Sequence, residues 1–223
     1  MKKILIILLT LSGCIGEDIV FDEVSSEIRL TNPLVSLEIS TSYQFEYMLL
    51  NNVGEEVIPD ELIWQSSDES ILTIDADGLA LAVDYGSVII TFTAMLGESI
   101  TASTFEFEIT DETVITRTER FGVLKSTSSY TLEGDFDLSE EGDNLLLTFE
   151  SNYVADTGLP GLYVYLSNNP NSITNAYEIG VVTKFSGAHS YTISGVDLYD
   201  YSYVLYFCKP FNVRVGDGEI KDN

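Results

Sequence analysis

The strongest constraint on the fold is a period-two alternation of apolar and polar residues. Tyr43, Phe45, Tyr47 and Leu49 alternate with Gln44 and Glu46, while Phe105, Phe107 and Ile109 alternate with Thr104, Glu106 and Glu108. Val88, Ile90, Phe92 and Ala94 form another apolar face. Successive strand side chains point to opposite faces, so this pattern describes half-buried β-strands. Turn-forming clusters punctuate it at Asn51-Asn52-Val53-Gly54, Asp75-Ala76-Asp77-Gly78 and Leu96-Gly97-Glu98. No segment repeats with the period of a helix. The expected class is all-β, with two consecutive β-sandwich-like domains.

Charge places the seam and excludes some functions. The chain has 10 basic and 36 acidic residues, a formal net charge of −26. Such a surface repels nucleic acid, so no nucleic-acid partner is expected. Residues 27–110 hold one base, Arg29, whereas residues 113–223 hold seven. The expected organisation is a first domain over 27–110, a linker over 111–118 and a second domain over 119–223.

The chain begins MKKILIILLTLSGC. Lys2 and Lys3 precede an apolar run over Ile4 to Leu11 that is too short to span a bilayer, the pattern of an export signal. Leu11-Ser12-Gly13-Cys14 resembles the lipobox of bacterial lipoproteins. The resemblance implies a signal peptide over residues 1–13 and a lipid on Cys14. Residues 14–26 then form an acidic tether from a membrane anchor. Ile15 in place of Asp favours the outer membrane by analogy with a sorting rule of some Gram-negative bacteria. The expected location is the cell envelope, facing periplasm or exterior, with an envelope protein or glycan as partner. Cys208 is then the only free thiol, and no internal disulfide can form.

Trp64, Ser66, Ser67, Asp68, Ile74, Asp75, Gly78, Gly86 and Ile90 fall in the pattern of the group-two bacterial Ig-like domains, which the first block resembles. The resemblance implies a compact β-sandwich acting as a spacer, with Trp64 in its core. Asp75-Ala76-Asp77-Gly78 suggests half of a calcium loop. Its strand-like flanks, and Thr73 in the first ligand position, make a hairpin turn the better reading.

In the second block, strands are expected at Arg120–Lys125, Tyr130–Leu138, Leu145–Glu150, Leu162–Ser167, Tyr177–Lys184, Ser190–Ile193, Tyr203–Cys208 and Phe211–Val215. The pieces "RFGVLKSTSSYTLEGDFDL", "LLLTFESNYVADTGLPGLYVYLS", "YEIGVVTKFSGAHSYTI" and "YSYVLYFCKPFNVRVGDGEI" run in the order of the DM-thirteen domain, which the block resembles. The resemblance implies an all-β fold and a proposed electron-transfer role, with Cys208 as the suspected redox or cofactor-contacting group. Where that family usually has Asp, this chain has Gly161.

The residues themselves leave Cys208 between two readings. Tyr203, Leu205 and Phe207 point one way and Val204, Tyr206 and Cys208 the other, so the strand is expected to be buried on both faces. A thiol there is a small inert hydrophobe, unless Pro210 bulges the strand and exposes it. Arg214, about 20 Å further along a regular strand, is out of reach of the sulfur. His189, the only histidine, reads as a surface strand residue or as the base of a hydrolase. Tyr163, Tyr165, Tyr191, Tyr201, Tyr203 and Tyr206 pack in strands or together form a binding face. No zinc-ligand set or phosphate loop is found, and no cofactor is assigned. The leading expectation is a non-catalytic envelope lipoprotein serving in surface binding, adhesion or scaffolding. The alternatives are a redox module using Cys208 and an envelope hydrolase using His189.

Overall fold

A computed structural model describes residues 22–115 and 119–222. Cys14 and the signal segment lie outside the described residues. Among these residues the structure is nearly all β, as the alternation requires, with a single 3-10 turn at Lys209–Phe211. No described helix is long and apolar enough to cross a membrane.

The first body contains β1 (Glu27–Leu30), β2 (Leu34–Glu38), β3 (Ser42–Gln44), β4 (Tyr47–Leu50), β5 (Glu61–Ser66), β6 (Leu72–Ile74), β7 (Leu79–Ala82), β8 (Gly86–Leu96), β9 (Ser99–Thr110) and β10 (Val114–Ile115). A five-stranded sheet in the order β10-β2-β9-β8-β5 accompanies a three-stranded sheet β3-β7-β6 and the pair β1-β4. Val88, Ile90, Phe92 and Ala94 of β8 are each at most 1% exposed. Their face meets Phe45, Leu72 and Trp64 in one apolar cluster. Trp64 lies 5.2 Å from Phe92 and 6.2 Å from Phe45, ring to ring, so it is a core residue. Asp75 closes the β6–β7 hairpin, its carboxylate accepting the amides of Asp77 and Leu79 at 3.0 and 2.9 Å. Gly78 follows at φ +82°, and a Cβ there would lie 3.0 Å from the Trp64 ring. The segment expected as a linker starts as the edge strand β10, paired with β2.

The second body contains β11 (Glu119–Ser126), β12 (Leu132–Glu141), β13 (Asn144–Phe149), β14 (Val154–Ala155), β15 (Leu162–Ser167), β16 (Tyr177–Val181), β17 (His189–Ser194), β18 (Tyr203–Cys208) and β19 (Val213–Glu219). They form one antiparallel sheet in the order β16-β15-β18-β19-β11-β12-β13-β17, with β14 beside β12. The sheet curls until its end strands approach, and the Tyr177 hydroxyl of β16 donates to the Ser194 carbonyl of β17 at 3.2 Å. This nearly closed wall surrounds a second apolar cluster containing Leu138, Leu147, Phe149, Val164, Val204, Tyr206 and Cys208.

The lone base of the first block, Arg29, joins the two bodies. Its side chain is 12% exposed. Its guanidinium donates to the Tyr199 carbonyl at 2.9 Å, the Asp200 carbonyl at 2.8 Å, Asn168 Oδ1 at 3.0 Å and the Ser202 hydroxyl. Glu27 balances the charge from within β1 at 3.0 Å. The planar, multi-donor guanidinium suits such a fan of acceptors. The end of the acidic tether is also held: Asn169 donates to the Asp22 carbonyl at 2.6 Å and to the Val53 carbonyl at 3.0 Å, and the Val24 amide donates to Asn52 at 2.8 Å.

Candidate functional site

Cys208 ends β18, a central strand between β15 and β19. Val204, Tyr206 and Cys208 enter the main cluster of the second body, whereas Leu205 and Phe207 pack with Tyr165 on the other face. The thiol is fully buried and lies 3.4 Å from the Pro160 carbonyl, which accepts from it. Pro210 does not expose the sulfur, and the irregular step of the β18–β19 ladder lies before it, between Tyr206 and Phe207. Pro210 belongs to the Lys209–Phe211 turn, after which Asn212, at φ 52°, reverses the chain into β19. Cys208 therefore pairs with Val213, and Arg214 sits opposite Phe207 rather than far along a continuous strand. Arg214 is engaged by Asn171 and by the buried Asp217, so it remains unavailable to a thiolate. Lys209 points outward to Glu178 and lies 4.3 Å from the Tyr163 ring centre.

Gly161 forms the other side of this cover. Its φ is +77°, and a Cβ would lie 2.9 Å from Pro210 Cγ. Its carbonyl accepts the Lys209 amide at 3.2 Å. Pro160 thus lies against the sulfur, and the next residue, Gly161, packs its backbone against Pro210.

His189 opens β17, the end strand of the sheet, and is partly exposed, with its ring turned onto aromatic neighbours. Its ring stacks on Phe149 at 4.9 Å and 25°, meets Tyr153 edge to face at 4.6 Å and lies 5.5 Å from Tyr191. Nδ1 is 3.0 Å from the Gly187 carbonyl. A carbonyl can only accept, so Nδ1 carries the proton and Nε2 is left with its lone pair. Nε2 is buried and has no hydrogen-bond partner. Among the described residues, no serine hydroxyl or cysteine thiol is bonded to either nitrogen.

The interior around this ring is unusual in its polarity. The hydroxyls of Tyr153, Tyr191 and Tyr206 are buried, those of Tyr153 and Tyr206 interacting with each other and that of Tyr191 with the Thr183 backbone. Phe149 touches all of them, at 5.0, 6.2 and 6.2 Å between ring centres. Tyr153 and Tyr206 also meet, at 6.2 Å, with interacting hydroxyls. Burial pushes the Tyr153 phenol up to about 12, with Tyr206 opposing and Tyr191 adding. Burial raises Tyr206 well above the usual phenol range and also raises Tyr191. Burial lowers His189, the Gly187 carbonyl opposes this, and the charge of Lys184 adds to it. Near neutral pH the set is therefore three neutral phenols and a neutral imidazole.

The six tyrosines of the expected binding face are divided. Tyr206 is interior and Tyr191 borders the His189 group, whereas Tyr163 and Tyr165 lie under Lys209 on the outer face. Tyr153 and Phe149 complete the interior group and were not distinguished in the sequence. Tyr153 follows a turn rather than sitting in the alternation, and its amide donates to Glu150 at 3.1 Å. Among the described residues, no group of three or more histidine, cysteine or acidic residues is placed to hold a metal.

No curated protein matches the chain. Residues 121–220 match the family model described as electron transfer DM13. That span covers the curled sheet, the buried cysteine and the ring group, so the likeness to that family falls on the second body.

Proposed function

We propose that the protein is an extracytoplasmic, lipid-anchored module whose second body passes single electrons through its interior aromatic group rather than by cycling Cys208. The observation that carries this reading is the continuous ring contact from fully buried Tyr206 through Phe149 and Tyr153 to partly exposed His189 and Tyr191. The match to an electron-transfer family supports it. Thiol exchange requires access for an attacking thiolate or oxidant, and the sulfur has none.

The lipobox at Leu11 to Cys14 supports the anchor, and the alternation and Trp64 core support an Ig-like first body. That body does not act as a spacer in this proposal. The tether is gripped where the bodies meet, so the anchor chain leaves from the joint. One-electron oxidation of the purified native protein, followed by electron paramagnetic resonance, tests the proposal. A long-lived tyrosyl signal is expected, with Cys208 unlabelled by iodoacetamide until denaturation. Rapid native labelling with no tyrosyl signal would replace the relay with thiol chemistry.

A further inference from the structure

Strand β7 departs from the pattern that built the rest of the first body. Ala80 and Ala82 point inward and are at most 1% exposed. Leu79, Leu81 and Val83 alternate with them and face outward, at 44%, 44% and 46% exposure. The strand is the middle one of its sheet, and the residues opposite Leu81 are Ser42 of β3 and Thr73 of β6. In the other sheet the outward positions of β9 are Thr104, Glu106 and Glu108. Polar residues are what a sheet face turned to water ordinarily carries. Leucine is not among the residues that strands favour for their own sake. Single exposed aliphatics need no explanation, but a contiguous stripe rimmed by polar residues marks an interaction surface.

The ends of the stripe carry acid. Asp75 and Asp77 lie in the β6–β7 turn at one end. Asp84 follows Val83 at the other, where the Tyr85 hydroxyl donates to Asp111 at 2.7 Å. No lysine or arginine occurs between Arg29 and Arg117. Among the described residues, Glu27 is the only carboxylate of the first body in an ion pair. An apolar centre with a charged rim of one sign selects a partner of the opposite sign. We propose that the outer face of β7 docks a basic protein surface, with aliphatic side chains on the stripe and lysine or arginine meeting the acids at its ends. The same face of a second copy would set carboxylates against carboxylates, and anionic lipid would be repelled. This surface lies on the first body and is independent of the electron relay.

The test uses the full chain and a synthetic amphipathic peptide whose leucine stripe is flanked by lysines. A control peptide carries serine in place of each leucine, and both are followed by isothermal titration calorimetry. The leucine peptide is expected to bind about 10-fold tighter, which corresponds to burying what remains exposed of two leucines. Leu79→Ser with Leu81→Ser leaves the net charge unchanged and is expected to abolish that difference. Asp77→Asn with Asp84→Asn is expected to weaken both peptides more than Glu106→Gln with Glu108→Gln, which removes equal charge from the other sheet. In the wild type, amide chemical shifts moved by the leucine peptide should cluster on β3, β6 and β7, a readout that needs no variant. Equal binding of the two peptides, shifts clustered elsewhere, or a preference that survives in the leucine variant overturns the stripe. Equal losses from the two acid pairs overturn the rim and leave attraction to net charge alone. A wild-type dimer in sedimentation that the leucine variant abolishes makes the occupant a second copy. Uptake on zwitterionic vesicles that the same variant abolishes makes it lipid. Either result overturns the basic partner.

Discussion

At the scale of single residues, Gly161 and Cys208 explain each other. The buried sulfur donates to the Pro160 carbonyl, and the next residue, Gly161, at positive φ, leaves no room for a Cβ against Pro210. Gly161→Asp would place a side chain at positive φ against that proline, costing about 1–3 kcal/mol. It is expected to lower the melting temperature and raise the native iodoacetamide labelling rate of Cys208, read by mass spectrometry. His189 gives a second prediction. Its folded pKa is below the ordinary 6.5, so the unfolded chain takes up a proton first as pH falls. Its contribution to stability is complete above about pH 6.5 and is lost as pH falls through the lowered folded value. Asp137 and Asp200 act with the opposite sign, since burial raises both. Comparing thermal melts of wild type and His189→Phe between about pH 7.5 and pH 5 isolates the histidine. The wild type is expected to lose more stability on acidification than the variant. The two-faced burial of β18 was legible because Tyr203 to Cys208 is apolar throughout. The reversal at Asn212 was not, since an αL asparagine has no period.

At the scale of elements, the alternation located the strands because one face of each had to be buried. Leu162–Ser167 and Tyr203–Cys208 are strands at the expected bounds, and β17 begins one residue before the expected Ser190. Closure of the sheet was beyond a local pattern. It depends on β16 and β17, far apart in strand order, meeting through Tyr177 and Ser194. Tyr177→Phe removes that bond at a cost of about 1 kcal/mol. Faster amide exchange is expected in β16 and β17 than in β18, measured by hydrogen–deuterium exchange. The ring group was illegible for a related reason. Period places Tyr191 and Tyr206 on their strands, but only the curl brings β13, β17, β18 and the turn at Tyr153 to one interior point.

At the scale of the whole molecule, Arg29 had a visible signal as the single base in an acidic block, although its partners are over 130 residues away. Arg29→Ala removes the guanidinium's hydrogen bonds to the second body and leaves Glu27 without its cation, at a cost of about 3 kcal/mol. Each body retains its own core, so the expected result is increased protease cleavage between residues 110 and 120 with the strand content intact. If Cys14 carries lipid, its separation from Asp22 reaches at most about 29 Å at full extension. The joint, and with it the second body, would then lie close to the membrane. Spin labels on the two bodies should show comparable quenching by a lipid-bound relaxing agent in proteoliposomes. The central claim is that the interior rings, not the thiol, hold the oxidising equivalent. The most direct measurement is the long-lived tyrosyl signal of Cys208→Ala after one-electron oxidation, compared with wild type under identical conditions. Equal yield and lifetime are predicted; loss of the signal with the sulfur, in a folded variant, would contradict the account.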